Sequence, residues 1–102
     1  MAAQQPTIDN LRTAIQLACQ PQNAHGIVLG RQQVLAMPRW WVLQTIEAVA
    51  CECLDLTDDW EYRRLLELAN ELDAAMVERL VQLGVASDDQ DVREAANDFR
   101  TG

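Results

Sequence analysis

The sequence predicts an all-α fold, a compact bundle of five to six short helices, and three observations carry that prediction. From Asp58 to Gly84, the residues Tyr62, Leu65, Leu66, Ala69, Leu72, Met76, Leu80 and Leu83 stand three or four apart, which places them on one helical face. Caps and stops punctuate the rest of the chain at short intervals. No alternating apolar and polar run is long enough to specify a strand.

Residues 1–5 read as a frayed start. Thr7 then caps a first helix whose inward face is Ile8, Leu11, Ile15 and Ala18, with Ala14 and Cys19 beside them. Pro21 ends it, because a residue before proline avoids helical geometry. From Pro21 to Met37 the periodicity weakens. Residues 22–26, including His25, read as a loop. Ile27-Val28-Leu29 between two glycines reads either as a short extended segment or as an apolar plug, and Arg31–Met37 has the composition of a two-turn helix. Pro38 suits the first turn of a helix, where a missing N–H is no loss. That helix is expected to reach about Asp55, burying Val42, Ile46, Val49, Ala50 and Cys53, and Leu56-Thr57 turns the chain into the 58–84 stretch.

Asp58 followed by Glu61 has the form of a capping box, and Gly84 reads as a left-handed helix stop. One residue conflicts with a single helix between them. Asp73 falls inside the apolar stripe, where a lone carboxylate would cost several kcal/mol or be forced to protonate. The pattern therefore predicts a break or kink, with Asp73 capping a second helix that begins at Ala74. The alternative is one straight helix with Asp73 at a solvated edge. Farther on, Ser87 and Gln90 have capping-box spacing, and a last helix to about Arg100 buries Val92, Ala95, Ala96 and Phe99.

At 102 residues the chain reads as a single helical domain over 1–102, able to bury about two-thirds of its unfolded surface without disulfide or metal staples. It has no apolar run long enough for a membrane span and no basic-then-apolar leader. Three cysteines without framework spacing fit a reducing compartment, so the expected location is cytoplasmic. Net charge is −8 and unevenly placed: through Arg39 there is one acid against three arginines, and from Trp40 onward fifteen acids against five. That balance argues against nucleic acid, which demands clustered cations, and suits a basic partner protein.

The catalytic inventory is thin. All eight cations are arginine, which removes lysine Schiff-base chemistry, and His25, Ser87 and Tyr62 are the only residues of their types. Cys51 and Cys53 are two apart, so on a helix they point about 200° from each other and cannot grip one metal ion. No phosphate loop or metal motif is present. The reading assigns no catalytic residue, no cofactor and no metal. What remains is surface: Trp40 and Trp41 on the polar side of their helix, and two acidic helix starts, Asp58-Asp59-Glu61 and Asp88-Asp89-Asp91. Tryptophan is favoured at interface hot spots. These eight residues are the candidate partner-binding set.

The segment Asp89-x-Asp91-Val92-Arg93-Glu94-Ala95-Ala96 resembles the opening of the second helix in HEAT-type repeats, which implies helix-on-helix packing. More broadly, Leu35-x-x-Pro38-Arg39-x-Trp41-Val42-Leu43 and Asp59-Trp60-Glu61-Tyr62-Arg63-Arg64-Leu65-Leu66-Glu67-Leu68 are similar to small acidic helical proteins of bacteria. Some of those are immunity partners of polymorphic toxins. The resemblance implies a non-catalytic inhibitor or immunity protein and assigns no functional residue. The expectation is a protein–protein interaction module. Its alternatives are a homo-oligomeric scaffold that buries Trp40 and Trp41, and a cysteine-based enzyme or thiol sensor using Cys51 or His25.

Overall fold

Six helices follow one another along residues 6–100, the part of the chain that this computed structural model describes: α1 (Ile8–Ala18), α2 (Ala24–Leu35), α3 (Arg39–Cys53), α4 (Asp59–Leu72), α5 (Ala74–Val85) and α6 (Gln90–Phe99). The fold is all-helical, with no strand among the described residues. The frayed start expected at residues 1–5 lies outside the described residues.

Asp73 divides the long apolar stretch. It closes α4 in an extended conformation (φ −167°, ψ 126°), and its carboxylate accepts from the Met76 amide at 3.1 Å, which caps α5. The side chain thereby stays half-buried at a helix junction and reaches Arg39 at 3.7 Å. Helix α5 then folds back on α4. The Tyr62 hydroxyl, fully buried, donates to the Leu80 carbonyl at 2.7 Å across that pair. Gly84 lies inside α5 rather than ending it, which corrects the expected stop. A β-carbon there would stand 2.5 Å from Tyr62 Cζ and 2.8 Å from Ala96 Cβ. The glycine serves close approach, not a turn.

The region of weak periodicity is one continuous helix. Asn23 takes the left-handed conformation (φ 79°), and its side chain accepts from the Gly26 amide at 3.1 Å to start α2. His25 accordingly sits in the first turn of α2, not in a loop. The two glycines that look like breakers lie on the face toward α1. A β-carbon on Gly30 would stand 2.7 Å from the Ala14 carbonyl oxygen and 2.8 Å from Leu17 Cβ. With Gly26 beside Gln20 and Gly30 beside Ala14, α1 and α2 run antiparallel. Helix propensity is sacrificed, at about 1 kcal/mol per glycine, for backbone proximity.

Other boundaries shift for local reasons. Pro38 is the cap before α3 rather than a residue of its first turn, and α3 ends at Cys53, short of Asp55. Asp89, not Ser87, caps α6, accepting from the Val92 amide at 3.0 Å; Ser87 Oγ accepts instead from the Asp89 amide at 3.1 Å. Glu61 does not return to the Asp58 amide; its carboxylate takes the Asp55 amide at 3.4 Å. Ile8 and Leu83, expected in the core, are about half exposed, and Cys53 and Phe99 are only half-buried.

Helix α4 carries the core, with Tyr62, Leu65, Leu66, Leu68, Ala69 and Leu72 all buried. Ion pairs staple its neighbours. Glu67 of α4 holds both Arg64, at 3.0 Å, and Arg31 of α2. Arg79 of α5 pairs with Glu47 of α3, Arg12 of α1 with Glu52 of α3 at 3.5 Å, and Arg63 of α4 with Asp98 of α6 at 3.1 Å.

Replacing Asp73 by Ala removes the cap between α4 and α5 and is expected to cost about 1 kcal/mol in urea unfolding, while Asp73→Ser, which caps as well, costs less. Gly30→Ala is expected to destabilise by about 1–3 kcal/mol despite alanine's better helix propensity, because the added methyl meets α1 backbone. An unchanged or raised urea midpoint for Gly30→Ala would contradict the close approach.

Candidate partner-binding surface

Two turns meet at one end of the bundle. The α3–α4 connection supplies Leu56 and Thr57, the α5–α6 connection supplies Ala86, Ser87, Asp88 and Asp89, and between them lies an open groove of about 600 Å³. Its floor includes Tyr62, Gly84 and Val92, and Leu83 forms an exposed apolar wall. Of the acids singled out in the sequence, Asp88 and Asp89 line this groove, and Asp58 follows directly on its Leu56–Thr57 edge.

The ion pairs explain why this end is so negative. Arg12, Arg31, Arg39, Arg63, Arg64 and Arg79 are all engaged with carboxylates elsewhere. Among the described residues, Asp55, Asp58, Asp59, Glu61, Asp88, Asp89 and Asp91 have no cation within 4.0 Å. The nearby arginine, Arg93, donates to the Ser87 carbonyl at 2.7 Å rather than to a carboxylate. Hydrogen bonds from the Thr57 hydroxyl and amide hold Asp55 below the usual carboxylate range, so it keeps its charge in mild acid.

The seven acids are not equivalent. Asp58 accepts from the Trp60 and Glu61 amides at 2.9 and 3.1 Å, and Asp89 caps α6, so both are structural. The side chains of Asp59, Asp88 and Asp91 make no hydrogen bond within the described residues. They are free to meet a partner.

The tryptophans lie elsewhere. Arg39 of α3 reaches Asp73 at the far end of α4, and the 14 residues of α4 span about 21 Å, so Trp40 and Trp41 belong to the opposite end from Asp58. Trp41 is half-buried against the core, whereas Trp40 is 66% exposed. The structure thus unites the six acidic members of the candidate set and separates the two tryptophans from them. Trp60 is half exposed, with the Arg64 guanidinium 5.6 Å above its ring. Sequence reasoning missed Leu83 and Leu56 as groove residues. Period alone assigned Leu83 to the core, but in the last turn of α5 it is about half exposed.

The thiols divide by burial. Cys19 is buried and its pKa is pushed from the ordinary 9.0 up to about 12 by burial first and the neighbouring Cys53 second. Burial also raises Cys53, while Cys51 is exposed on the other side of α3. His25 is exposed. Among the described residues, no three His, Cys, Asp or Glu side chains cluster to hold a metal, and no helix is long and apolar enough to cross a membrane.

No protein-family model matches the chain, and no curated protein and no solved structure matches it either.

Iodoacetamide at neutral pH is expected to modify Cys51 first, Cys53 more slowly, and Cys19 only on unfolding, as peptide mass mapping would show. Alkaline stability follows from the same burial. Burial lifts Cys19 from 9.0 and Tyr62 from 10.0, each to about 12. The unfolded chain releases these protons first, so stability is intact below about pH 9 and falls as pH rises toward 12. Tyr62→Phe is expected to flatten that fall, measured by urea midpoints across the alkaline range.

Proposed function

We propose that this chain is a non-catalytic protein-interaction module that receives a basic partner protein at its acidic end, in the manner of a cytoplasmic inhibitor or immunity protein. The observation that carries this reading is that the two turns lining one groove are flanked by carboxylates without a cation partner among the described residues, Asp55, Asp58, Asp59 and Glu61 along the first and Asp88, Asp89 and Asp91 along the second. Unpaired charge in that density speeds encounter with a basic surface and loses its force in salt. The groove supplies what charge alone lacks, a dry apolar seat that slows dissociation once the partner has docked. Leu56, Leu83 and Val92 offer that seat, and the acids around it exclude partners of like charge. An inhibitor built this way occludes a basic active site without contributing chemistry of its own. The resemblance to small acidic helical proteins of bacteria, some of which are immunity partners of toxins, is in keeping with that mode of action.

The test uses Asp59, Asp88 and Asp91, because charge reversal at Asp58 or Asp89 would also damage helix caps. With a partner isolated by co-purification from the native host, the triple variant Asp59→Lys, Asp88→Lys, Asp91→Lys is expected to slow association by about tenfold or more at low ionic strength. It is also expected to flatten the salt dependence while leaving the thermal unfolding of the free protein close to that of the parent. An association rate and salt slope that match the parent's would rule out the acidic end as the docking surface.

A further inference from the structure

Helix α2 carries two apolar faces, and the bundle uses one. Its inner face, Gly26, Ile27, Gly30 and Val34, is buried, with Gly30 against α1. Directly opposite, His25, Val28, Gln32 and Leu35 recur at spacings of three, four and three, the pattern of a two-helix seam. Leu29 and Ala36 flank it. All six are exposed; Val28, Leu29 and Leu35 retain 50%, 41% and 45% of their accessible surface. A helix that is apolar on both sides belongs in an interior, yet α2 lies at the edge of the bundle, with α1 as its main neighbour. One short turn beyond it stands Trp40, the most exposed large hydrophobic among the described residues.

We propose that α2 packs antiparallel against α2 of a second copy of this chain, forming a two-fold dimer with Gln32 near the axis. Charge selects that occupant. A two-fold interface brings every group toward its own twin, so a charged patch would repel itself. The chain has no acidic residue between Asp9 and Glu47, although its net charge is −8. The arginines of this segment, Arg12, Arg31 and Arg39, are each committed to a carboxylate of the same molecule. The face is therefore neutral, where a face made for a charged partner would carry the complementary charge. Its central polar residue is an amide, which both donates and accepts and so can satisfy its twin in both directions. With Gln32 at the axis, Val28 of one copy meets the Leu35–Ala36 end of the other, which is apolar against apolar. A single polar residue at such a position also fixes register.

The seam is short: α2 has 12 residues and is about 18 Å long, against roughly 800 Å² per partner in a standard interface. The dimer is accordingly weak, populated at high micromolar concentration, with Trp40 extending the contact. Its salt response is opposite to that of the acidic end. Screening the remaining repulsion between two −8 molecules strengthens self-association, whereas it weakens capture of a basic protein. The inference stands independently of the proposed function.

Sedimentation velocity across micromolar to submillimolar protein tests it. The expected result is a monomer–dimer equilibrium that shifts toward dimer as salt rises. Val28→Glu with Leu35→Glu is expected to abolish the dimer without altering the melting curve, because both residues are solvent-facing in the monomer. Gln32→Cys in a Cys51→Ser background is expected to form an intermolecular disulfide under mild oxidation, while Gln82→Cys in the same background does not. A monomer at every concentration and salt overturns the proposal. So does a dimer that survives the double Glu variant, or one that crosslinks equally through positions 32 and 82.

Discussion

The architecture depends on the cost of burying one carboxylate. Asp73 stands where the apolar stripe of a single long helix would carry it into the core, and an unpaired charge there would be expensive. The chain avoids that cost by ending α4 and starting α5 at this residue, so that the carboxylate binds the Met76 amide at the junction. Everything C-terminal follows from the break. Helix α5 turns back along α4, Leu80 meets the Tyr62 hydroxyl, and Gly84 comes down on the tyrosine ring. Helix α6 then returns alongside both, and the groove opens where the two connections meet.

Electrostatics divides the molecule a second time. The arginines are used mostly between helices, where they tie α1 to α3, α2 to α4, α3 to α5 and α4 to α6. Exposed pairs of this kind contribute little each, and the set around Glu67, which faces two guanidinium groups, is the half-buried one. The larger consequence is positional. With six arginines committed, the carboxylates left without a cation partner among the described residues include Asp55, Asp58, Asp59 and Glu61 at the α3–α4 turn and Asp88, Asp89 and Asp91 at the α5–α6 turn, beside Glu71, Glu78 and Glu94 along the helices. The face of α2, by contrast, is neutral and apolar. The two proposed surfaces thus carry opposite expected responses to salt.

Much of this was legible from local patterns. The caps at Thr7, Asp58 and Asp73, the inward residues of α4 and the helical class all depend on neighbours within about a turn, which the sequence displays directly. The acidic starts were legible too, though not that the turns before them line one groove. What was illegible is α2. Gly26 and Gly30 look like breakers, because a glycine that is present to let two backbones touch is identical, in sequence, to one that is present to turn the chain. The same ambiguity made Gly84 look like a stop.

By itself, then, the sequence determined that the segments of α1 and of α3 to α6 are helical, that one carboxylate conflicts with a continuous helix at residue 73, and that no lysine chemistry is available. These are consequences of period, capping and composition, and they need no partner in space. Only the tertiary structure decided which arginines neutralise which acids, that the two acidic turns share a groove, and that Trp40 and Trp41 lie at the far end of α4. It also decided that a second apolar face of α2 is left uncovered. Those properties arise from helices brought together across long stretches of chain, and no short-range pattern encodes the distance between them.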